Sequence, residues 1–366
     1  MGKVLKKVDK NFYQHIISTM DKFLEADLNN RISESQALDW LSNSDVISLG
    51  ERALAVKKNF HSNKGFYAVN AAITYSNICE ACCPICSFFR REGQEGAYLL
   101  SPEDVYEKAK TFSQMGAEEI HIIGGIYRKL PFDYYLDVVK AVKKADSNLN
   151  VVSYTVSECV LMAEVSGLPL ESVIEKLIDA GTDALPGGGA EIFDAQIRQK
   201  ISPNKLTAQQ WLDAMKVAHK LGLKTNATML YGHLETPKEV VEHLDMLRRL
   251  QDETGGFKAF VPLPFRQGAS SIKGKSSGIY DLKICAISRI MLDNFPHIRV
   301  PVPHFGDRLS QILLNFGADD IGGTHWNEEV AVAAGALKQK RTAEFMRSVI
   351  VGAGLEAVKT NSNYAL

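Results

Sequence analysis

The sequence predicts an α/β fold of the (β/α)8 barrel type, preceded by a helical extension and followed by helices. About eight strand–helix alternations follow one another over roughly 290 residues, which favours a closed barrel over an open doubly wound sheet. The chain has 366 residues, 45% of them hydrophobic, which is enough to bury a large core. Its unusual sequences fall where strands end, the edge at which such barrels carry their chemistry. We predict an extension over 1–65, the barrel over 66–335 and a C-terminal helical segment over 336–366.

The extension carries helical patterns. One helix is predicted over 12–27. A second begins after Ser33, with Gln36 completing a capping box, and a third begins after Ser44.

From residue 66 the pattern changes to strands that alternate with helices. The predicted strands cover 66–74, 119–123, 150–155, 183–185, 224–231, 257–262, 298–302 and 318–321. The predicted helices cover 101–116, 131–145, 170–180, 207–222, 280–295 and 306–316, with a further one from residue 236. Hydroxyl side chains that suit helix caps precede three of them, at Ser101, Thr207 and Thr236.

Charge and hydropathy exclude several classes of function. The formal net charge is −1, with acidic and basic residues interspersed, so we expect no nucleic-acid partner. No apolar run reaches the ~18 residues that cross a bilayer, and the N-terminus lacks the apolar core of a signal peptide. We therefore expect a cytoplasmic protein without a membrane partner.

Four of the six cysteines lie close together, in the loop after the first barrel strand. Cys79, Cys83 and Cys86 have the spacing C-x3-C-x2-C, and Cys82 lies between them. Soft thiolates select an iron–sulfur cluster or zinc, but a structural zinc site usually needs a fourth ligand, and no nearby histidine follows the usual finger spacing. Three thiolates fit a [4Fe–4S] cluster with one open iron. Cys82 and the isolated Cys159 and Cys285 are interpreted as non-ligands.

This loop resembles the radical S-adenosylmethionine (SAM) superfamily. The resemblance implies one [4Fe–4S] cluster held by Cys79, Cys83 and Cys86, and SAM bound at the open iron. Relatives usually carry an aromatic residue before the last cysteine, where this chain has Ile85, so Phe88 or Phe89 is expected to cover the adenine.

Further segments resemble the SAM pocket of that superfamily. Gly124 and Gly125 resemble the Gly-Gly segment that approaches the methionyl amine, although an ordinary turn has the same sequence. Gly188 and Gly189 leave room for a ligand against the backbone. Glu191 suits the ribose hydroxyls or the ammonium of SAM, or is simply an acid at a helix start.

Two later segments complete the predicted pocket. Thr228, Tyr231 and Gly232 belong to a stretch that resembles the adenine-binding segment of the superfamily, which in this chain ends at Glu235. Ser157 and Glu158 follow the third strand and are expected to reach the ribose or the substrate, unless they only begin a helix.

Longer blocks narrow the resemblance. The stretches at 185–194, 225–236 and 250–263 are similar to the futalosine-pathway and deazaflavin-synthesis group. Within it, the segments at 121–125, 130–135 and 226–232 resemble the aminofutalosine synthase family of menaquinone biosynthesis. The sister family of dehypoxanthine futalosine cyclases usually carries Gln where this chain has Ile123, and it remains the alternative.

The synthase resemblance implies a reaction and its partners. A 5′-deoxyadenosyl radical from SAM adds to the vinyl carbon of 3-[(1-carboxyvinyl)oxy]benzoate, and aryl migration and loss of a carboxylate give 6-amino-6-deoxyfutalosine. SAM is consumed, and the cluster needs a reducing electron donor such as flavodoxin or ferredoxin.

Four residues are candidates for contact with this dicarboxylate substrate. Guanidinium groups suit carboxylates in a dry pocket, which points to Arg266 and Arg289. His121 and His233 lie near strand ends and suit proton transfer. For each of the four, a structural role is the competing interpretation.

Overall fold

The computed structural model describes residues 31–336, 338, 341–361, 363 and 364. The helix predicted over 12–27 lies outside the described residues. The described helices are α1 (Glu34–Asn43), α2 (Val46–His61), α3 (Pro102–Gln114), α4 (Phe132–Ala145), α5 (Val156–Ser166), α6 (Leu170–Ala180), α7 (Ala195–Ile201), α8 (Ala208–Lys220), α9 (Pro237–Thr254), α10 (Gly278–Met291), α11 (Val302–Phe305), α12 (Asp307–Leu313), α13 (Glu329–Ala333) and α14 (Ala343–Gly352). The strands are β1 (Lys64–Ala68), β2 (Asn70–Ser76), β3 (Glu119–Gly124), β4 (Asn150–Ser153), β5 (Ala184–Leu185), β6 (Lys224–Tyr231), β7 (Phe257–Pro264), β8 (His297–Ile298), β9 (Asp320–Gly323) and β10 (Glu356–Lys359).

The predicted α/β barrel is confirmed. Strands β2 to β8 form a parallel sheet in the order of the sequence. The segment around β9 closes the ring, because Val300 N donates to Asp320 O at 2.7 Å on one side and Ala72 N donates to Trp326 O at 2.8 Å on the other. Helices connect successive strands and cover the outside, as parallel pairing requires.

The first predicted strand is wrong in one respect, because 66–74 forms two strands. Residues of β1 pair with β9 and β10 in a separate three-stranded sheet, whereas β2 belongs to the barrel. The C-terminal segment also contains a strand where only helices were predicted. β10 pairs in parallel with β1, from Lys64 opposite Glu356 to Tyr67 opposite Lys359. The two strands are far apart in the chain, so no local pattern predicted their pairing.

The predicted helix starts are confirmed by their caps. Reciprocal capping boxes begin α1 at Ser33, α3 at Ser101, α8 at Thr207 and α9 at Thr236. Helix α5 was raised only as the alternative role of Ser157 and Glu158, without bounds. It begins at a further capping box on Thr155.

Charged and polar side chains fill the amino ends of the barrel strands. Arg299 Nε donates to Asp320 Oδ2 at 2.7 Å, and Tyr364 OH donates to the same oxygen at 2.6 Å. Lys258 Nζ donates to Asn363 Oδ1 at 3.2 Å. The C-terminal residues therefore close this end of the barrel, and ligands must approach from the carboxyl ends of the strands.

Among the helices that the structure describes, none combines the length and the apolar composition that a membrane crossing needs.

Buried neutral histidines predict a loss of stability in acid. Burial lowers the pKa of His219 to about 4 and that of His243 to about 3. The unfolded chain takes up these protons near pH 6.5, so it binds more protons than the folded chain as the pH falls below that value, and the free energy of unfolding falls. Between pH 7.5 and pH 5 the two histidines should lower the thermal midpoint by about 5 °C, measured by circular dichroism.

A His243→Gln variant supplies the control, because its side-chain amide still reaches toward the Thr228 carbonyl that His243 Nε2 contacts at 3.0 Å. This variant should lose about half of the destabilisation that is assigned to His219 and His243 together. An unchanged slope would contradict the assignment.

Candidate active site

A cavity of about 390 Å³ opens at the carboxyl ends of the strands. Its lining includes strand-end residues such as Thr74 of β2, Gly124 of β3, Leu230 of β6 and Pro264 of β7. This is the edge at which the sequence predicted the chemistry. The cysteine loop forms one wall of the cavity.

Three of the four clustered cysteines line this cavity, and they are the three of the motif. Cys79, Cys83 and Cys86 contribute to the lining, whereas Cys82 is not among its described residues. Cys82 has a left-handed backbone with φ of 45°, and its thiol contacts the Cys79 carbonyl at 3.3 Å. Burial raises the pKa of the Cys83 thiol to about 11, so a metal has to displace its proton.

The cysteine loop is fastened to the turn after β3. Glu80 N donates to Ile126 O at 2.7 Å, and Ile126 N donates to Cys79 Sγ at 3.4 Å. A Cβ on Gly125 would lie 2.7 Å from the carbonyl carbon of Ile78 and 2.9 Å from Cys79 Cβ, closer than real Cβ contacts. Glycine at 125 is therefore required for the close approach of the two segments, in addition to lining the cavity.

Glu158 lies below the Gly-Gly turn and holds it in place. Its Oε1 accepts from Tyr75 OH at 2.9 Å and from Gly124 N at 3.1 Å, and its Oε2 accepts from the backbone and hydroxyl of Thr155. Burial raises the pKa of Glu158 to about 7, although these hydrogen bonds act to lower it. Although it lines the cavity, it acts mainly as a positioning residue for the backbone of Gly124.

The glycine-rich loop after β5 is shaped by a buried arginine. The guanidinium of Arg198, on α7, donates to backbone carbonyls of the loop and of the following turn, at Gly189, Ala190, Ile192 and Leu206. Gly188 and Gly189 line the cavity, and a Cβ on Gly189 would lie 2.6 Å from Ser157 Oγ. The loop therefore presents bare backbone to the cavity.

An ion pair lies beside the cysteines. Lys205 Nζ contacts Glu191 Oε1 at 2.7 Å, and both side chains line the cavity. Burial alone would raise the pKa of Glu191, but Lys205 and Arg198 hold it below its usual range. The charge of the Lys205 ammonium acts to lower the pKa of Cys83, against the larger effect of burial.

Arg266 lines the opposite part of the cavity, with His304 and Glu328. One guanidinium nitrogen donates to His304 O at 2.7 Å, and the buried Nε has no hydrogen-bond partner within the described residues. Burial and the charge of Arg266 lower the pKa of His304 to about 4. Burial raises the pKa of Glu328, whose carboxylate accepts from Ala331 N at 3.2 Å.

The structure does not bring Arg289 to this site, which corrects its proposed contact with substrate. It is buried on α10, where its guanidinium donates to Leu292 O at 2.5 Å and to Phe295 O at 2.7 Å. The guanidinium also lies 4.5 Å from the centroid of the Phe60 ring. Its role is to join helix ends on the outside of the barrel.

Neither candidate histidine is among the described lining residues. His233 Nε2 donates to Leu230 O at 2.9 Å and its Nδ1 accepts from Leu234 N at 2.7 Å, so both ring nitrogens are occupied by backbone. His121 is hydrogen-bonded to Glu119 in the barrel interior, below the cavity. A direct catalytic contact for either one stays a prediction.

Of the three predicted adenine-segment residues, the described lining includes only Thr228, whose hydroxyl donates to Gly187 O at 2.6 Å. Tyr231 is buried and donates to Asp281 at 2.9 Å. Gly232 N donates to Glu235 at 2.5 Å. These two lie behind the lining and shape the turn after β6.

Comparison with known proteins agrees with this geometry. The family model of the "Radical SAM superfamily" matches residues 73–247, and that of the "CofH/MqnC C-terminal region" matches residues 254–366. An aminodeoxyfutalosine synthase of Thermus thermophilus is 37% identical over 356 residues, covering 95% of each chain. A 5-amino-6-(D-ribitylamino)uracil–L-tyrosine 4-hydroxyphenyl transferase of Methanococcus maripaludis is 35% identical over 333 residues, covering 88% of this chain and 92% of the relative.

The chain belongs to the CofH/MqnC family of radical SAM enzymes.

Solved structures support the fold of this radical SAM enzyme. A methylornithine synthase has a TM-score of 0.71 at 17% identity, covering 94% of this chain and 97% of its own. The hydrogenase maturase HydG of Carboxydothermus hydrogenoformans has a TM-score of 0.72 at 19% identity, covering 98% and 82%. At these identities the likeness concerns the fold alone.

The radical SAM family implies a [4Fe–4S] cluster and SAM, and the residues present fit both. Three thiols converge on one cavity wall, which is the donor set for a cluster with an open iron. Buried hydroxyls of Thr74 and Ser157 line the same cavity without a hydrogen-bond partner in the described structure. Buried polar atoms without partners are uncommon, so these two suit a polar ligand such as SAM.

Sequence reasoning missed several residues of this site. Arg198 lies in the short helix α7 and Lys205 lies just after it, and this helix has no periodic pattern of its own. His304 and Glu328 lie between or after the predicted strands and helices, in stretches to which no chemical role was assigned. The polar stretch at 324–329 was an available signal for Glu328, whereas the apolar, proline-rich stretch at 300–305 gave none for His304.

Proposed function

We propose that this enzyme adds the 5′-deoxyadenosyl radical of SAM to the vinyl carbon of 3-[(1-carboxyvinyl)oxy]benzoate, giving 6-amino-6-deoxyfutalosine and methionine. The observation that carries the proposal is that Arg266 lines the same cavity as the three cysteines and that its buried Nε has no hydrogen-bond partner among the residues described. Full-length similarity to aminodeoxyfutalosine synthases supports the choice of substrate.

The chain's own residues supply binding and shielding in this reaction. The cluster, when bound, supplies the electron that cleaves SAM. Arg266 pairs with a substrate carboxylate, because a guanidinium matches a carboxylate best where water is scarce. Phe88, Phe89 and Phe265 line the cavity and keep water away from the reacting atoms.

A second candidate is transfer of the hydroxyphenyl group of tyrosine, favoured by the similarity to the Methanococcus enzymes. Such a substrate carries an ammonium group, for which Glu328 in the cavity would be the partner. The synthase remains the first choice because the Thermus relative is slightly more similar, at 37% identity over 95% of this chain, than the Methanococcus relative, at 35% over 88%.

A product assay tests the proposal. The reconstituted enzyme is incubated anaerobically with SAM, a reductant and each of three substrates: the vinyloxybenzoate, dehypoxanthine futalosine, and tyrosine with 5-amino-6-(D-ribitylamino)uracil. We expect an adduct that contains the adenosyl group and the aryl group from the first mixture alone. Turnover of the second mixture would identify the cyclase, and turnover of the third the transferase.

Loss of the Arg266 guanidinium should weaken substrate binding. Arg266→Gln is expected to raise the KM for the vinyloxybenzoate by an amount equivalent to roughly 2–5 kcal/mol, because a charged partner in a desolvated pocket is lost. The dissociation constant of SAM should stay near the wild-type value. Arg308→Gln, an exposed arginine on α12, is the matched control. An equal KM in both variants would exclude Arg266 as the carboxylate anchor.

A further inference from the structure

A second hollow lies on the outer side of the cysteine loop. It has a volume of about 510 Å³ and is lined by residues of the loop and by Ala269. Cys86, Ser87 and Phe89 line both this hollow and the active-site cavity. The wall between the two is therefore a single stretch of chain, and it includes one of the three thiols of the motif. We call this outer hollow the loop groove.

The loop groove is positively charged. Arg90 and Arg91 line it, and no carboxylate is among its described lining residues. The Arg90 guanidinium is held against the loop, because it donates to Phe89 O at 2.9 Å. Arg91 is exposed, and nothing in the described part of the chain forms an ion pair or hydrogen bond with its guanidinium.

The nearest acidic side chain along the loop does not cancel this charge. Glu92 is engaged elsewhere: Lys129 Nζ contacts it at 2.6 Å and Tyr127 OH donates to it at 2.7 Å. The neighbouring Arg91 is left as an exposed cation beside the wall that the loop groove shares with the active site.

We propose that the loop groove is the docking surface for the electron donor, a small acidic protein that carries one electron on a flavin or an iron–sulfur centre. The inference rests on the radical SAM chemistry of the site and not on which substrate is used. One electron leaves the reduced donor and enters the cluster, and no atom is transferred. Electron transfer weakens steeply with distance, and a donor seated in the loop groove would lie against Cys86, one of the three thiols of the motif.

Charge explains why this groove selects such a partner. Arginine is enriched at protein interfaces, and complementary charges raise association rates and fix orientation. The overall net charge of the enzyme is only −1, so a local pair of arginines determines the attraction at this surface. The rate of donor-driven reduction should therefore fall when salt rises from about 50 to about 500 mM.

The test compares a charge reversal in the groove with one elsewhere. Arg91→Glu and Arg347→Glu change the net charge equally, and Arg347 is an exposed arginine on α14. The reconstituted variants are mixed with reduced flavodoxin, and bleaching of the cluster absorbance is followed by stopped flow. We expect Arg91→Glu to slow this reduction about 10-fold and to weaken flavodoxin binding, while Arg347→Glu matches the wild type. Arg91→Lys should recover most of the rate.

Chemical reduction separates docking from damage to the cluster. With dithionite, which needs no docking surface, all variants should bleach at the wild-type rate and cleave SAM equally. Equal rates with flavodoxin in Arg91→Glu and Arg347→Glu would overturn the proposal. So would a defect of Arg91→Glu that is as large with dithionite as with flavodoxin. Because SAM cleavage without substrate suffices as a readout, a wrong substrate assignment cannot produce either result.

Discussion

Cys83→Ala should abolish the iron–sulfur cluster, whereas Cys82→Ala should leave it intact. The two residues are neighbours in the chain, yet only Cys83 lines the cavity, and Cys82 is turned by its left-handed backbone toward the carbonyl of Cys79. Removal of Cys83 leaves two thiols of the set, which cannot hold a cluster that needs three protein ligands. After anaerobic reconstitution, we expect Cys83→Ala to lack the visible absorbance of the cluster and all SAM cleavage.

Cys82→Ala is the matched control, since it removes a thiol from the same loop without removing a ligand. Its iron and sulfide content should equal that of the wild type. Cysteine already holds the left-handed backbone at residue 82, so alanine adds no strain there, and only the contact of the thiol with the Cys79 carbonyl is lost. Full cluster content in Cys83→Ala, or an empty Cys82→Ala with an unchanged circular dichroism spectrum, would reverse the assignment of the thiols.

The barrel was predictable because its signals are local. Capping boxes at Ser101, Thr207 and Thr236 mark helix starts within four residues, and parallel strands joined by helices have few possible arrangements. The closure of the ring through β9 and the pairing of β10 with β1 join segments distant in the sequence. Their stability comes from tertiary contacts, which no window of sequence displays.

The contrast between local signals and long-range packing also explains which residues of the site could be predicted. The cysteines and the Gly-Gly turn were found because their spacing is itself the chemical requirement. Arg266 and Arg289 looked equivalent in sequence, since both are arginines near the predicted strands at 257–262 and 298–302. They differ in which way their elements face: the loop after β7 opens into the cavity, whereas the buried side of α10 packs against helix ends. The direction in which each arginine faces is therefore set by the packing of the barrel and is not visible in the local sequence.

Gly125→Ala should disrupt the active site although it adds a single methyl group. The new Cβ would overlap the backbone of Ile78 and lie 2.9 Å from Cys79 Cβ, and neither of these can move like the end of a flexible side chain. The turn and the cysteine loop must therefore separate, which breaks the hydrogen bonds of Glu80 N and of the Cys79 thiol with Ile126. Overpacking of this kind costs about 1–3 kcal/mol, and it displaces the first cysteine of the cluster.

We expect Gly125→Ala to reconstitute with much less iron than the wild type and to bind SAM at least 10-fold more weakly, an effect of about 1.4 kcal/mol or more. Iron analysis and equilibrium binding measure the two quantities. Gly278→Ala is the control, because a Cβ at the exposed start of α10 meets no atom within 4 Å. If Gly125→Ala instead held a full cluster and bound SAM like Gly278→Ala, the close approach of the turn to the cysteine loop would not be what positions the cluster.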